Sequence, residues 1–350
     1  MTVTLPVRKA ILARKTYETP AEGRRGKIRL DFNENTSGCS SAAVKAIRKL
    51  NAKELATYPE YDERARQIAR HFRVKPQKLL LTNGGDDALR VFFDTFVDPD
   101  THILICEPTF PMYRYYAEIA GARVEALCYG SQMDFPLAAA LAALRRKPRV
   151  FFLANPNNPT GTLVLLPEIE QLLRAATRTA FVLDEAYAEF SDANAISLTR
   201  KYPQLFIART FSKAAGLAAL RLGAIIANPD SLALVRRAMP PYPVNMAALD
   251  AAAATVEERK SIAAYVSGTR HRREWFAAEL TKRGVRVFPS AANFLLADFG
   301  AGGPAFFRKL ARHNILVRER SQDLGPGFAR ITIGTQSELE QFLRVLRHRD

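Results

Sequence analysis

The chain has 350 residues, and at roughly 150 residues per domain that length allows about two domains, each with its own core. Hydrophobic residues make up 48% and charged residues 25%, with 18 Gly and 20 Pro, which excludes collagen-like, mucin-like and disordered chains. Lys and Arg number 51 against 35 Asp and Glu, and the net charge of +16 favours anionic partners: phosphorylated metabolites, carboxylates, an anionic cofactor or nucleic acid.

From the N-terminus, the first 30 residues carry Arg8, Lys9, Arg14, Lys15, Arg24, Arg25, Lys27 and Arg29 against Glu18 and Glu22, which reads as a solvated basic arm. No apolar signal-peptide core and no run of about 18 apolar residues occurs. Cys39, Cys106 and Cys128 form no CxxC pair, which argues against a disulfide framework and points to a reducing, cytoplasmic setting. Between residues 78 and 228, short apolar runs alternate with helical patterns, the mark of an α/β unit. Strands are expected at Lys78 to Thr82, His102 to Cys106, Arg123 to Leu127, Val150 to Ala154, Ala180 to Leu183, Leu205 to Ala208 and Leu222 to Ala227. Between them, Leu89, Phe92, Phe93 and Phe96, and then Ile169, Leu172, Leu173 and Ala176, fall on single helix faces directed at the core.

The proline-rich run Met239 to Pro243 reads as a hinge before an alanine-rich helical stretch from Met246 to about Glu279. Beyond it, Val285 to Phe288, Phe294 to Ala297, Ile315 to Val317 and Arg330 to Ile333 read as strands of a second, α+β unit. Ser337 and Glu340 suggest a capping box opening a last helix with Leu339, Phe342, Leu343 and Leu346 on one face.

In an open α/β sheet, ligands sit beyond the carboxyl ends of the strands. The residues there are Gly84-Gly85-Asp86, Glu107 to Phe110, Asn155 to Gly161 (NPNNPTG), Asp184 to Tyr187 and Thr210 to Lys213. Two glycines at a helix start leave free N–H groups that suit a phosphate. FVLDEAY resembles the magnesium-binding strand of nucleoside triphosphatases, but GxxxxGK[ST] is absent, as are HExxH and GxSxG. The five histidines, His71, His102, His271, His313 and His348, lack ligand spacing, so no metal is expected. What remains is a lysine at a strand end among an acid, a tyrosine, an asparagine, an arginine and a phosphate cradle, a set that suits pyridoxal phosphate chemistry.

These residues resemble fold type I pyridoxal-phosphate aminotransferases of class I and II, and more narrowly the histidinol-phosphate aminotransferase family. The likeness covers nearly the whole chain, through DFNEN (31–35), TYPE (57–60), NGGDDAL (83–89), EPTFPMY (107–113), NPNNPTG, DEAYAEF (184–190), RTFSKAAGLAALRLG (209–223), PPYPVN (240–245), ILVRERS (315–321) and RITIGT (330–335). It implies an α/β fold with a large domain, a mostly parallel mixed sheet flanked by helices, and a smaller α+β domain. The boundaries expected are 1–30 for the arm, 31–243 for the large cofactor-binding domain and 244–350 for the small domain, with a contribution from the N-terminal segment.

The resemblance further implies ping-pong transamination through a Schiff base on Lys213, whose pKa is lowered with the help of Arg221. Asp184 would pair with the pyridine nitrogen, Tyr187 and Asn158 would bond the ring hydroxyl oxygen, and Phe110 would stack on the ring. Thr210, Ser212, Arg221 and the Gly85 and Asp86 amides would hold the phosphate, joined by Tyr58 from the neighbouring subunit of a homodimer. Arg330 would bind the substrate α-carboxylate and Arg318 the substrate phosphate, with Asn33 also at the substrate. Departures lie at Thr36-Ser37-Gly38-Cys39, at Gly85, where relatives have a serine, and around Tyr17. The same motifs serve enzymes that transaminate aromatic amino acids or decarboxylate threonine phosphate, and the basic arm leaves open a regulatory binding protein on this fold.

Overall fold

The computed structural model describes residues 5–12, 14, 22–192 and 194–347, so Tyr17 and His348 lie outside the described residues. β1 (Ile28–Leu30) is separated by three helices from a run of seven strands: β2 (Leu79–Thr82), β3 (His102–Glu107), β4 (Arg123–Cys128), β5 (Val150–Ala154), β6 (Ala180–Asp184), β7 (Leu205–Thr210) and β8 (Gly223–Ala227). These seven form one sheet in the order β2-β8-β7-β6-β5-β3-β4, parallel except for β8, which runs antiparallel to both its neighbours. Strands of a parallel sheet covered on both faces need apolar residues at successive positions, which is why VFFLA and LFIA read as continuous runs. Alternate residues accordingly enter opposite cores, Phe151 and Leu153 on one face and Val150, Phe152 and Ala154 on the other. The helix Gly84–Phe96 covers the second face with Leu89, Phe92 and Phe93, and the helix Leu166–Ala175 covers the first with Ile169, Leu172 and Leu173.

β9 (Arg286–Val287), β10 (Phe294–Asp298), β11 (Ile315–Glu319) and β12 (Phe328–Thr332) join β1 in a second sheet of order β1-β11-β12-β10-β9. β1 runs parallel to β11, so the N-terminal segment completes the C-terminal sheet. Three residues in a basic stretch give no periodic signal, and the sequence reading had no strand there.

Two further expectations change. The stretch from Met246 divides at Glu258 into helices Met246–Glu257 and Arg259–Thr281, and the first packs Ala248, Leu249, Ala251, Ala252 and Val256 into a core of the seven-stranded sheet. The proline run therefore does not separate the two cores. The last helix is capped by Thr335 with Glu338, not Ser337 with Glu340: the Glu338 carboxylate accepts from the Thr335 N–H at 2.7 Å, and the Thr335 hydroxyl accepts from the Glu338 N–H at 3.3 Å. Leu339, Phe342, Leu343 and Leu346 are buried as one face. No helix among the described residues is long and apolar enough to cross a membrane.

Candidate active site

Because β2 and β7 both oppose β8, the carboxyl ends of β2, β3, β5, β6 and β7 lie on one edge, where β8 begins. A cavity of about 390 Å³ opens there. Gly85, Asp86, Phe110, Asn158, Asp184, Tyr187, Thr210, Ser212, Lys213 and Arg221 all line it.

At one end the helix Gly84–Phe96 starts directly after β2, and its N-cap Asn83 makes no side-chain capping bond. The first-turn amides and the positive end of the helix dipole are thus available to an anion. Arg221 sits beside them in a left-handed conformation (φ 55°) and donates to Asp86 Oδ2 at 3.0 Å. Gly84 has φ 86°, and a Cβ there would come within 2.8 Å of the Arg221 Nη2, so the glycine makes room for the guanidinium. Gly223 is needed for the same close approach, since its Cβ would lie 2.6 Å from the Gly84 carbonyl group. Ser212 is buried, and its N–H donates to the Thr210 hydroxyl at 3.1 Å.

At the centre, Asp184 ends β6 with Oδ2 accepting from the Tyr113 hydroxyl at 2.7 Å and Oδ1 accepting from the Ala186 N–H at 3.0 Å. Burial raises its pKa and these donors oppose the rise. Next to it, Glu185 and Arg209 form a buried ion pair at 2.6 Å that ties the end of β6 to β7.

Lys213 donates to the Phe32 carbonyl at 2.9 Å. Burial pushes its amine down to about 8, and Arg330 adds to that more than Arg221, while Glu34 and Asp86 oppose it. Arg221 thus acts in the direction that the resemblance implies, and Arg330 acts the same way more strongly.

The Tyr187 hydroxyl accepts from Asn33 Nδ2 at 3.0 Å, and Asn158 Oδ1 accepts from Arg330 Nη1 at 2.6 Å. Tyr187 therefore keeps its O–H, and Asn158 its amide N–H groups, as donors for a ring oxygen. Arg330 also donates to the Asp31 carbonyl, and burial lowers its pKa to about 10, which leaves it charged at neutral pH.

The remaining candidates stand outside the cavity wall. Asn33 is fully buried, bonded to Tyr187, Thr332 and Asn293, so it borders the site through Tyr187. Arg330 borders the site through Asn158, and Arg318 lies opposite it across the β11–β12 pair, on the same face of the sheet. Arg318 has no ion pair or hydrogen bond from its side chain among the described residues. Tyr58 is 76% exposed and stacks on Tyr242 at 4.5 Å, away from its own chain's cavity.

Sequence reasoning passed over Tyr113, the Phe32 carbonyl and Glu34. Tyr113 lay in a quoted motif, and a buried tyrosine needs a partner for its hydroxyl, but only the fold identifies that partner as Asp184. The donor set fits pyridoxal 5′-phosphate: an uncapped helix start with an arginine for the phosphate, a fixed carboxylate for the ring nitrogen, two donors for the ring oxygen and an amine of lowered pKa.

Comparison with known proteins agrees. The family described as aminotransferase class I and II matches residues 25–346. A histidinol-phosphate aminotransferase of Geobacillus sp. (strain WCH70) is 36% identical over 91% of this chain and 89% of its own length. That of Geobacillus thermodenitrificans is 37% identical over 92% and 89%. The crystal structure of histidinol-phosphate aminotransferase from Sinorhizobium meliloti in complex with pyridoxal-5′-phosphate superposes with a TM-score of 0.89 at 23% identity, covering 99% of each chain.

Proposed function

The chain belongs to the aminotransferase class I and II family and is a pyridoxal-phosphate-dependent transaminase, and from that premise we propose that it exchanges the amino group of histidinol phosphate with 2-oxoglutarate in histidine biosynthesis. The observation that carries the substrate is the pairing of Arg318 with Arg330 on one face of the second sheet, with Arg330 bonded to Asn158 of the cavity wall. Two guanidinium groups suit a phosphate dianion, and they leave the rest of the substrate to reach Lys213.

When bound, the cofactor supplies an electron sink for the carbon that loses its proton. Lys213, neutral above about pH 8 in the ligand-free chain, accepts a proton from the substrate carbon and returns it to its new position. Asp184, fixed by Tyr113 and Ala186, holds the proton on the ring nitrogen. Tyr187 and Asn158 donate to the ring oxygen, while Asn33 and Arg330 orient them. Arg221, Thr210, Ser212 and the helix start bind the phosphate and keep the ring from leaving as the amine moves.

The proposal extends to a homodimer in which Tyr58 reaches the partner's phosphate site, supported by the exposed cluster of Leu55, Tyr58 and Tyr242. Cytoplasmic action is proposed alongside, in keeping with three free cysteines. The test is a half-reaction panel on the holoenzyme with histidinol phosphate, phenylalanine, glutamate and threonine phosphate added singly, following cofactor absorbance and products. Conversion by histidinol phosphate and glutamate is expected. Conversion by phenylalanine with histidinol phosphate inert defeats the substrate assignment, and carbon dioxide from threonine phosphate defeats transamination as the main activity.

A further inference from the structure

The three acids on the cavity wall differ in what already occupies them. Asp184 has both oxygens held by Tyr113 and Ala186, and Asp86 pairs with Arg221 at the anion end. Glu34 has no part in holding the cofactor. It follows β1 and so comes from the second sheet, the side that carries Arg318 and Arg330.

Its carboxylate is fixed by one neighbour. Arg24 donates to Oε2 at 2.7 Å and to Oε1 at 3.4 Å, while the same guanidinium holds both oxygens of Asp31, at 2.7 and 2.9 Å, and lies over the Phe32 ring at 4.1 Å. Arg29 stands 3.8 Å from Oε2, beyond hydrogen-bonding distance. An ionised carboxylate has about four lone-pair sites, and Arg24 engages two, one of them weakly. Acceptor capacity is left over on a group that lines the cavity. Glu34 also lies within electrostatic reach of the reacting amine, since it and Arg330 act on Lys213 with opposite sign.

We propose that Glu34 reads the substrate's side chain, accepting a hydrogen bond from the N–H of an imidazole ring while Arg318 and Arg330 hold the phosphate, and that Arg24 is the positioning residue for Glu34. This rests on the histidinol-phosphate reading. A benzene ring of the same size has no N–H to donate and leaves the carboxylate facing apolar carbon, so the arrangement discriminates by chemistry where shape does not.

The test compares wild-type holoenzyme with Glu34→Gln and Arg24→Gln on histidinol phosphate and on phenylalaninol phosphate, its benzene-ring counterpart. Glu34→Gln is expected to lower kcat/KM for histidinol phosphate about tenfold more than for phenylalaninol phosphate, and Arg24→Gln to move the ratio the same way by less. Calorimetric binding of imidazolylpropyl phosphate, which has no amine to react, is expected to weaken in Glu34→Gln by a similar factor. An unchanged ratio, or unchanged calorimetric affinity, overturns the inference while the substrate reading stands. A wild-type enzyme inert towards histidinol phosphate overturns both. Cofactor absorbance and melting temperature identify a folding failure, and Glu34→Asp, which withdraws the carboxylate by one methylene, then supplies the same ratio as the deciding measurement.

Discussion

The two ends of the cavity are built in different ways. At the cofactor end, groups meet because the strands of one sheet stop or start at the same edge, whether near in sequence, as Ser212 to Thr210 and Ala186 to Asp184, or far, as Tyr113 to Asp184 and Arg221 to Asp86. At the substrate end, the contacts join distant segments: Asn33 to Tyr187 across 154 positions, Arg330 to Asn158 across 172 and Arg330 to Asp31 across 299. The first end is a property of the seven-stranded sheet. The second exists only where the two sheets meet, so substitutions there should affect substrate handling and the tuning of Lys213 while sparing cofactor retention.

The largest effect tests the cofactor end. Lys213→Ala is expected to lower turnover by on the order of 10⁴ or more, because nucleophile and proton carrier are lost together. Cofactor should still bind noncovalently, and borohydride should no longer trap it on the protein. Full turnover in this variant would remove the basis of the mechanism. At the other end, Arg330→Gln is expected to reduce kcat/KM about ten- to a hundredfold, the scale of lost charge-assisted hydrogen bonds. Its cofactor dissociation constant should change little, and a large change would show that the two ends are one unit.

Neighbouring glycines sharpen the contrast within the cofactor end. Gly84→Ala would put a side chain on a left-handed backbone and displace Arg221, so cofactor affinity should fall about tenfold, the scale of one to two kcal/mol. Gly85→Ser meets nothing nearer than Thr210 Cβ at 4.0 Å and should bind cofactor nearly as well as wild type. Equilibrium dialysis of both variants checks the pair.

The difference between the ends also governs what the sequence discloses. Strands β2 to β8 were legible to within about two residues, all but the edge strand β4 because strands covered on both faces must be apolar throughout, and the polar ends of the parallel ones then mark the cofactor rim. β1 was not legible, since three residues hold their place only by pairing with β11 far along the chain. The capping box was misplaced because Thr335 and Ser337 both stand three residues before a glutamate, Glu338 and Glu340, and local spacing does not choose between them. The motif of Asn33 marks it as near the site, but nothing local names Tyr187 and Thr332 as the partners of its side chain. Residues whose task depends on a contact between sheets carried no sequence mark of the partner.

Tyr113 belongs to the cofactor end but acts at one remove. Tyr113→Phe deletes the hydrogen bond that opposes the burial-driven rise in the Asp184 pKa, so the carboxyl should hold its proton to higher pH. Turnover should fall several-fold, up to about tenfold, with the greater loss on the acid side of the pH profile. A loss independent of pH would mean that the tyrosine only fills space.

The smallest effect separates the two ends most directly. Only the neutral Lys213 amine can take up cofactor covalently, so capture by the apoprotein should slow as pH falls below about 8, towards tenfold per pH unit. Arg330 and Arg221 both favour the neutral amine, and Arg330 does so more strongly. Arg330→Gln should therefore raise the midpoint of the capture profile, and Arg221→Gln should raise it by less, although Arg221 belongs to the phosphate site. Glu34 acts with the opposite sign, and Glu34→Gln should lower the midpoint. Comparing midpoints, not rates, keeps weakened phosphate binding in Arg221→Gln from entering the result. If Arg221→Gln moves the midpoint further than Arg330→Gln, the acidity of the lysine is set within the first sheet. The second sheet then serves substrate binding alone, and the coupling of the two ends through Lys213 is wrong.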